Sequence, residues 1–174
     1  KLNIEVNHAT LSGHNFEHEI AYAIANDSLG SIDINRGDTL LGWDTDQFPN
    51  NPIDLLLPFY YIFSKGGFKQ GGLNFDAKIR RQSIDPEDLF YAHIGGMDVA
   101  ARALIAVEQM IKDSTLIKNI DERYRNWSNK LGKFILSKDN DLELIANKVI
   151  EDNLNPEPES GKQEFLENIL NKYL

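Results

Sequence analysis

Apolar and polar positions alternate over Leu2 to Val6 of the 174-residue chain, the period-two pattern of a β-strand. Gly13 and Asn15 then break the path. Phe16, Ile20, Ala23 and Ile24 recur at helical spacing, which predicts a helix over 16–25 with Asn15 as N-cap and Glu17 and Glu19 in its first turn. A second short strand is expected over 30–34, followed by a long loop over 35–51. From Pro52 to Lys65 the chain is apolar nearly all round, which predicts a buried helix kinked at Pro58. Glycine pairs at 66–67 and 71–72 bracket the next turn, and 73–76 reads as a third strand.

No strand is expected beyond that point. Asp85-Pro86-Glu87-Asp88 has the form of a helix start, with Asp85 as N-cap, proline at the first helical position and acids in the first turn. That helix should run past Gly95-Gly96 towards Lys112. Further helices are expected over 116–127, 141–151 and 162–174, with Asn155-Pro156-Glu157-Pro158 as a stiff linker.

Strand and helix repeating in order predict an α/β fold with a parallel sheet and helices outside it. In each unit the acids stand at or just past the carboxyl end of the strand, where barrels of alternating strand and helix place their chemistry. A closed barrel of eight such units takes roughly 250 residues, and three units fit here. The expectation is therefore the last strand–helix units of an eight-stranded β/α (TIM) barrel over 1–112, followed by an α-helical C-terminal extension over 113–174, whose apolar stripe at Leu142, Ile145 and Val149 is either a local helix face or a subunit contact. A start at Lys1, without Met and directly inside a strand, suggests part of a longer product.

Composition narrows the partners. A net charge of −9 argues against nucleic acid, whose phosphates call for a basic stripe, and against an anionic membrane surface. No apolar run approaches the length of a spanning helix. The absence of cysteine leaves no disulfides and fits a cytoplasmic setting.

Six potential metal ligands lie near the ends of the extended segments: Glu5, His8, Asp33, Asp44, Asp46 and Asp76. Crowded carboxylates repel one another and take up protons, and a divalent cation reverses that preference. Asp44 and Asp46 are two apart, so in an extended segment both point the same way and can grip one ion. Glu5 and His8 are three apart and converge only if the chain turns after Val6. Asp33 and Asp76 sit late in apolar strands, where an acid is costly unless paired or metal-bound. Each residue alone also has a plain structural reading as a turn or loop cap. The oxygen-rich set suits Mg²⁺ or Mn²⁺, with one imidazole tolerated by Mn²⁺ or Co²⁺. Six protein ligands are many for one Mg²⁺, so two ions sharing a bridging carboxylate is the better count.

Long stretches carrying these residues resemble xylose isomerase: Asn3 to His14, Gly30 to Asp33, Gly42-Trp43-Asp44-Thr45-Asp46-Gln47-Phe48-Pro49, and Gly71 to Lys78. The segments Asp85 to Phe90 and Ser160 to Glu164 are similar too. The resemblance implies a TIM barrel with a helical extension that embraces a neighbouring subunit in a homotetramer. It implies interconversion of D-xylose and D-xylulose, and more slowly of glucose and fructose, by a two-metal-assisted hydride shift. By motif position Glu5 would bridge both ions, Asp33 and Asp76 would bind the first, and His8, Asp44 and Asp46 the second. Asp76, through the first ion, would also help to hold the sugar. The ring-opening His with its Asp partner, a carbonyl-binding Lys and one further Glu ligand belong to motifs that these residues do not contain. No catalytic residue is therefore assigned within the chain, and His14, His18 and His93 do not stand in the matching context. These residues alone are expected to be inactive without an upstream half of the barrel.

Two other functions fit the bare residues: a metal-dependent phosphodiesterase on a similar barrel, and a non-catalytic metal-binding or assembly fragment. Arg36-Gly37-Asp38 spells an adhesion tripeptide by coincidence, in a loop beside candidate ligands; the glycine pairs are read as turn chemistry, and Lys78, Arg80 and Arg81 as partners for the abundant acids. Preferred sugar and physiological metal are not fixed by these residues.

Overall fold

The computed structural model describes residues 1–174. It divides into two compact units, Lys1–Asp113 together with Leu170–Leu174, and Ser114–Ile169.

The first unit is α/β. Strand β1 (Leu2–Glu5) leads directly into a short helix α1 (Val6–Leu11), and helix α2 (Phe16–Ala25) leads to β2 (Leu29–Asp33). A hairpin of β3 (Arg36–Asp38) and β4 (Trp43–Gln47) precedes helix α3 (Ile53–Ser64), the two-residue strand β5 (Leu73–Asn74) and the long helix α4 (Pro86–Asp113). Strands β1, β2 and β5 form a parallel sheet in that order, while β3 and β4 pair antiparallel in a separate ribbon. The parallel sheet and the helices at 16–25, 53–64 and 86–113 follow the apolar periodicity closely.

Two expectations need correction. The segment after Val6 is a helix rather than a turn, with Thr10 Oγ1 donating to the Val6 carbonyl at 3.0 Å. Six residues are too few for a helical period to show. The loop expected over 35–51 contains the β3–β4 hairpin, whose strands are short and polar and so give no alternation signal.

The core of this unit lies between the sheet and the helices. Ile20 and Ala23 of α2, Ile32 and Ile34 of β2 and its exit, and Leu56, Phe59 and Ile62 of α3 are fully or almost fully buried. Pro58 is buried within α3 rather than ending it. Helix α4 packs on α3, burying Ala100, Ala103, Val107 and Met110, and Gly96 is buried one turn nearer the start of the helix. The contact at Gly96 is close: a Cβ there would come 3.1 Å from the rings of both Phe48 and Phe75, which would have to give by a few tenths of an ångström. Those rings lie 5.4 Å apart and seat the hairpin exit and the turn after β5 against α4.

By length and composition alone α4 is long and apolar enough to cross a membrane, which the expectation of no long apolar run missed. Its hydropathy comes from alanine and other apolar side chains spread around Asp98, Arg102 and Glu108, so no uninterrupted run forms. One face belongs to the core just described, and Phe90, Tyr91, Ile94, Met97 and Ile105 are exposed.

Near the chain's end, Lys172 Nζ and the Tyr173 hydroxyl each donate to Asp113 Oδ2 at 2.6 Å, which fastens the last residues to the end of α4.

The second unit is helical: α5 (Thr115–Tyr124), a 3-10 turn (Arg125–Ser128), α6 (Lys130–Ile135), α7 (Leu142–Glu151) and α8 (Gln163–Asn168). Asp141 caps α7 by accepting from the Leu144 N–H at 2.8 Å. Within this unit Arg125 pairs with Glu122 and Glu159, and Arg123 donates to the Gly161 carbonyl at 3.0 Å. The helix expected over 116–127 loosens into the 3-10 turn at its end, and α6 is an additional helix.

Candidate metal centre

The register of the parallel sheet does the first work. Glu5 pairs with Asp33 across β1 and β2, and Asp33 pairs with Asn74 across β2 and β5. The carboxyl ends of three neighbouring strands therefore come level, and Asp76 follows β5 by two residues at a left-handed φ of +43°. Asp tolerates that conformation better than most residues. Ligand-bearing oxygens of Glu5, Asp33 and Asp76 all lie within 4.8 Å of one another.

A second group forms on the other side of Glu5. Glu5 is the N-cap residue of α1, so His8 lies one helical turn on and its Nδ1 comes 3.3 Å from Glu5 Oε2. The same imidazole places Nε2 3.1 Å from Asp44 Oδ2 on β4. Glu5, His8 and Asp44 thus form a triad with ligand atoms within 4.8 Å, and Glu5 is common to both triads.

Asp46 belongs to neither triad. Thr45 is buried, and the Asp46 carboxylate lies beside that of Asp44. Its Oδ2, however, is bonded to Lys78 Nζ, and Lys78 N–H and an Arg80 guanidinium N–H donate to its carbonyl at 2.8 and 2.9 Å. The Lys78 ammonium, then the bond to Asp44, holds the Asp46 pKa below the usual carboxylate value. Five of the six candidate ligands gather into the two triads, and the sixth is occupied by a lysine.

The electrostatics explain why the cluster suits a cation. Glu5 is 9% exposed and Asp33 4%. Burial pushes the Glu5 pKa up, a bond from Asn35 and the nearby His8 oppose that rise, and Asp44 and Asp76 add to it. Asp33 accepts from Asn3 Nδ2 and, at 3.3 Å, from Asn74 Nδ2. Amide donors align these carboxylates without neutralising them, and Lys78 is committed to Asp46. A donor set of carboxylate oxygens and one imidazole, with no thiolate, fits Mg²⁺, Mn²⁺ or Co²⁺.

Sequence reasoning passed over the two asparagines beneath the ligands. Asn35 is 1% exposed and Asn7 is wholly buried. The available signal for Asn35 was its place two residues after Asp33 at a strand exit; Asn7 gave none, because α1 itself was not expected.

Comparison with known proteins bears on the same residues. The profile of the XylA2 C-terminal domain matches residues 120–174. Over all 174 residues the chain is 56% identical to the xylose isomerase of Haemophilus influenzae (strain PittEE). It is 54% identical to that of Mesorhizobium japonicum and 57% identical to that of Histophilus somni (strain 2336), again over the whole chain. The whole chain is similar to xylose isomerases. It spans about 40% of the length of each of these relatives, matching their C-terminal part. The similarity covers both the strand ends that carry the two triads and the helical unit after them, so site and tail share one likeness to xylose isomerase.

Proposed function

We propose that these residues form the cation-holding part of an aldose–ketose isomerase that interconverts D-xylose and D-xylulose. The observation that carries the reading is the pair of ligand triads sharing Glu5, in a chain similar throughout to xylose isomerases. On this reading β1, β2 and β5 belong to the last strand–helix units of a TIM barrel spanning 1–112. Residues 113–174 are an extension for subunit contacts in a homotetramer that works in the cytoplasm.

Glu5 would bridge two divalent cations, Mg²⁺ or alternatively Mn²⁺ or Co²⁺. Asp33 and Asp76 would complete the first position, and His8, Asp44 and Asp46 the second. Divalent cations held there would supply positive charge against the hydroxyls and carbonyl oxygen of the opened sugar while a hydride passes between C1 and C2. The chain's own residues prepare that charge. Asn3 and Asn74 align Asp33, Asn35 aligns Glu5, and His8 stands between Glu5 and Asp44. Lys78 pairs with the Asp46 carboxylate through a side chain that is two-thirds exposed, and a cation taken up by Asp46 would displace it.

The test uses the intact protein that carries these residues, with xylose deuterated at C2. Cation-dependent xylulose bearing the label at C1, without loss to water, is expected. No xylulose, or complete washout of the label, would overturn the assignment. Glu5→Ala is expected to abolish the product.

A further inference from the structure

Beneath the two triads runs a chain of buried amides that joins one to the other. Asn35 uses both ends of its side-chain amide. Its Nδ2 donates to Glu5 Oε1 at 2.7 Å and to the Asp76 carbonyl at 3.0 Å, and its Oδ1 accepts from the Asn7 N–H at 3.2 Å. Asn7 in turn donates through its own Nδ2 to Asp44 Oδ1. The path therefore runs from Asp44 in one triad, through Asn7 and Asn35, to Glu5 and the main chain of Asp76 in the other.

The chemistry of Asn7 shows what its amide is for. Its side chain is wholly buried, and its Oδ1 has no hydrogen-bond partner. The oxygen rests against Gly37, where a Cβ would drive into it. A buried unpaired carbonyl is unfavourable, and an apolar side chain of similar size would fill the space without it. What the amide alone provides is the N–H aimed at Asp44. Strands β1, β2 and β5 share one sheet, but Asp44 comes from the separate β3–β4 ribbon, so nothing in the parallel register fixes its distance from Glu5.

We propose that Asn7 and Asn35 are positioning residues that set the second ligand triad in register with the first. Asn35 fixes the carboxylate common to both positions, and Asn7 fixes only the ligand of the second. This rests on the two-cation reading above and extends it to residues that touch no cation. Outer-shell partners of this kind tune metal affinity by roughly 10–100-fold in other metal sites.

The two roles separate in a Mn²⁺ titration of the intact protein, followed by calorimetry and by electron paramagnetic resonance, with melting temperature measured alongside. Wild type is expected to take up two Mn²⁺ per chain and to show the spin-coupled spectrum of a neighbouring pair. Asn7→Ala is expected to weaken the second Mn²⁺ by about tenfold or more, leave the first within a factor of two or so, and lose the coupled spectrum at sub-saturating metal. Asn35→Ala should weaken both. Asn35→Asp keeps the acceptor for Asn7 while removing both donors, and should alter the first position even if it melts like wild type. Unchanged Mn²⁺ binding in Asn7→Ala, or equal weakening of both ions in step with lost stability, would overturn the proposal. Fewer than two Mn²⁺ on wild type would overturn the two-cation reading itself, and the amide path with it.

Discussion

Lys78 and Asp46 meet twice: the ammonium bonds the carboxylate Oδ2, and the Lys78 main-chain N–H donates to the Asp46 carbonyl at 2.8 Å. The lysine thus stands where a divalent cation would claim the same carboxylate. Lys78→Met should remove that competitor and tighten the second Mn²⁺ position, read by calorimetry. In metal-free protein the same change should cost no more than about 1 kcal/mol, because the pair is partly exposed and screened. The sign with pH follows from the depressed Asp46 pKa. The pair's contribution is present above the ordinary carboxylate range and lost as pH falls through the depressed value. The difference in melting temperature between wild type and Lys78→Met should therefore vanish in strong acid.

Glu5 behaves in the opposite sense. Burial raises its pKa, so the ionised form is the one the fold disfavours at neutral pH. That cost is present above the raised value and absent once pH falls below the ordinary carboxylate range. Glu5→Gln should raise the melting temperature of metal-free protein at pH 7 and leave it unchanged near about pH 3. The same variant should lose cation binding at both positions, since Glu5 is common to both triads.

Cation binding should be visible as stability. A ligand that binds only the folded state at a hundred times its dissociation constant adds about 2.7 kcal/mol. Mn²⁺ should raise the melting temperature of wild type reversibly, with a chelator returning it to the starting value. Glu5→Gln should show no such rise.

Gly37→Ala tests the floor of the site. The added Cβ would be forced into Asn7 Oδ1, the end of a wholly buried side chain that would have to shift. Overpacking of this kind costs typically about 1–3 kcal/mol. Thermal unfolding should show that loss, and the second Mn²⁺ should weaken with it.

Asp141→Ala addresses the helical unit separately. Losing the bond from Asp141 to the Leu144 N–H should cost about 1 kcal/mol of helix stability, seen as earlier loss of helical circular dichroism. Mn²⁺ affinity should not change.

The sequence by itself determined the parallel α/β order, the helices at 16–25, 53–64 and 86–113, and the identity of the six candidate ligands. Those features are written in local terms: alternation along strands, apolar stripes along helices, and acids at strand exits. It could not show the short helix α1 or the β3–β4 hairpin, because a six-residue helix and a polar ribbon carry no period long enough to read. The tertiary structure decided how the ligands divide, since only strand register sets Glu5 beside Asp33 and only the hairpin's docking brings Asp44 to His8. It alone showed Asp46 held by Lys78, and Asn7 and Asn35 buried beneath the carboxylates. A hydrogen bond between residues some thirty positions apart depends on where the chain returns, and neither residue type nor spacing records that return.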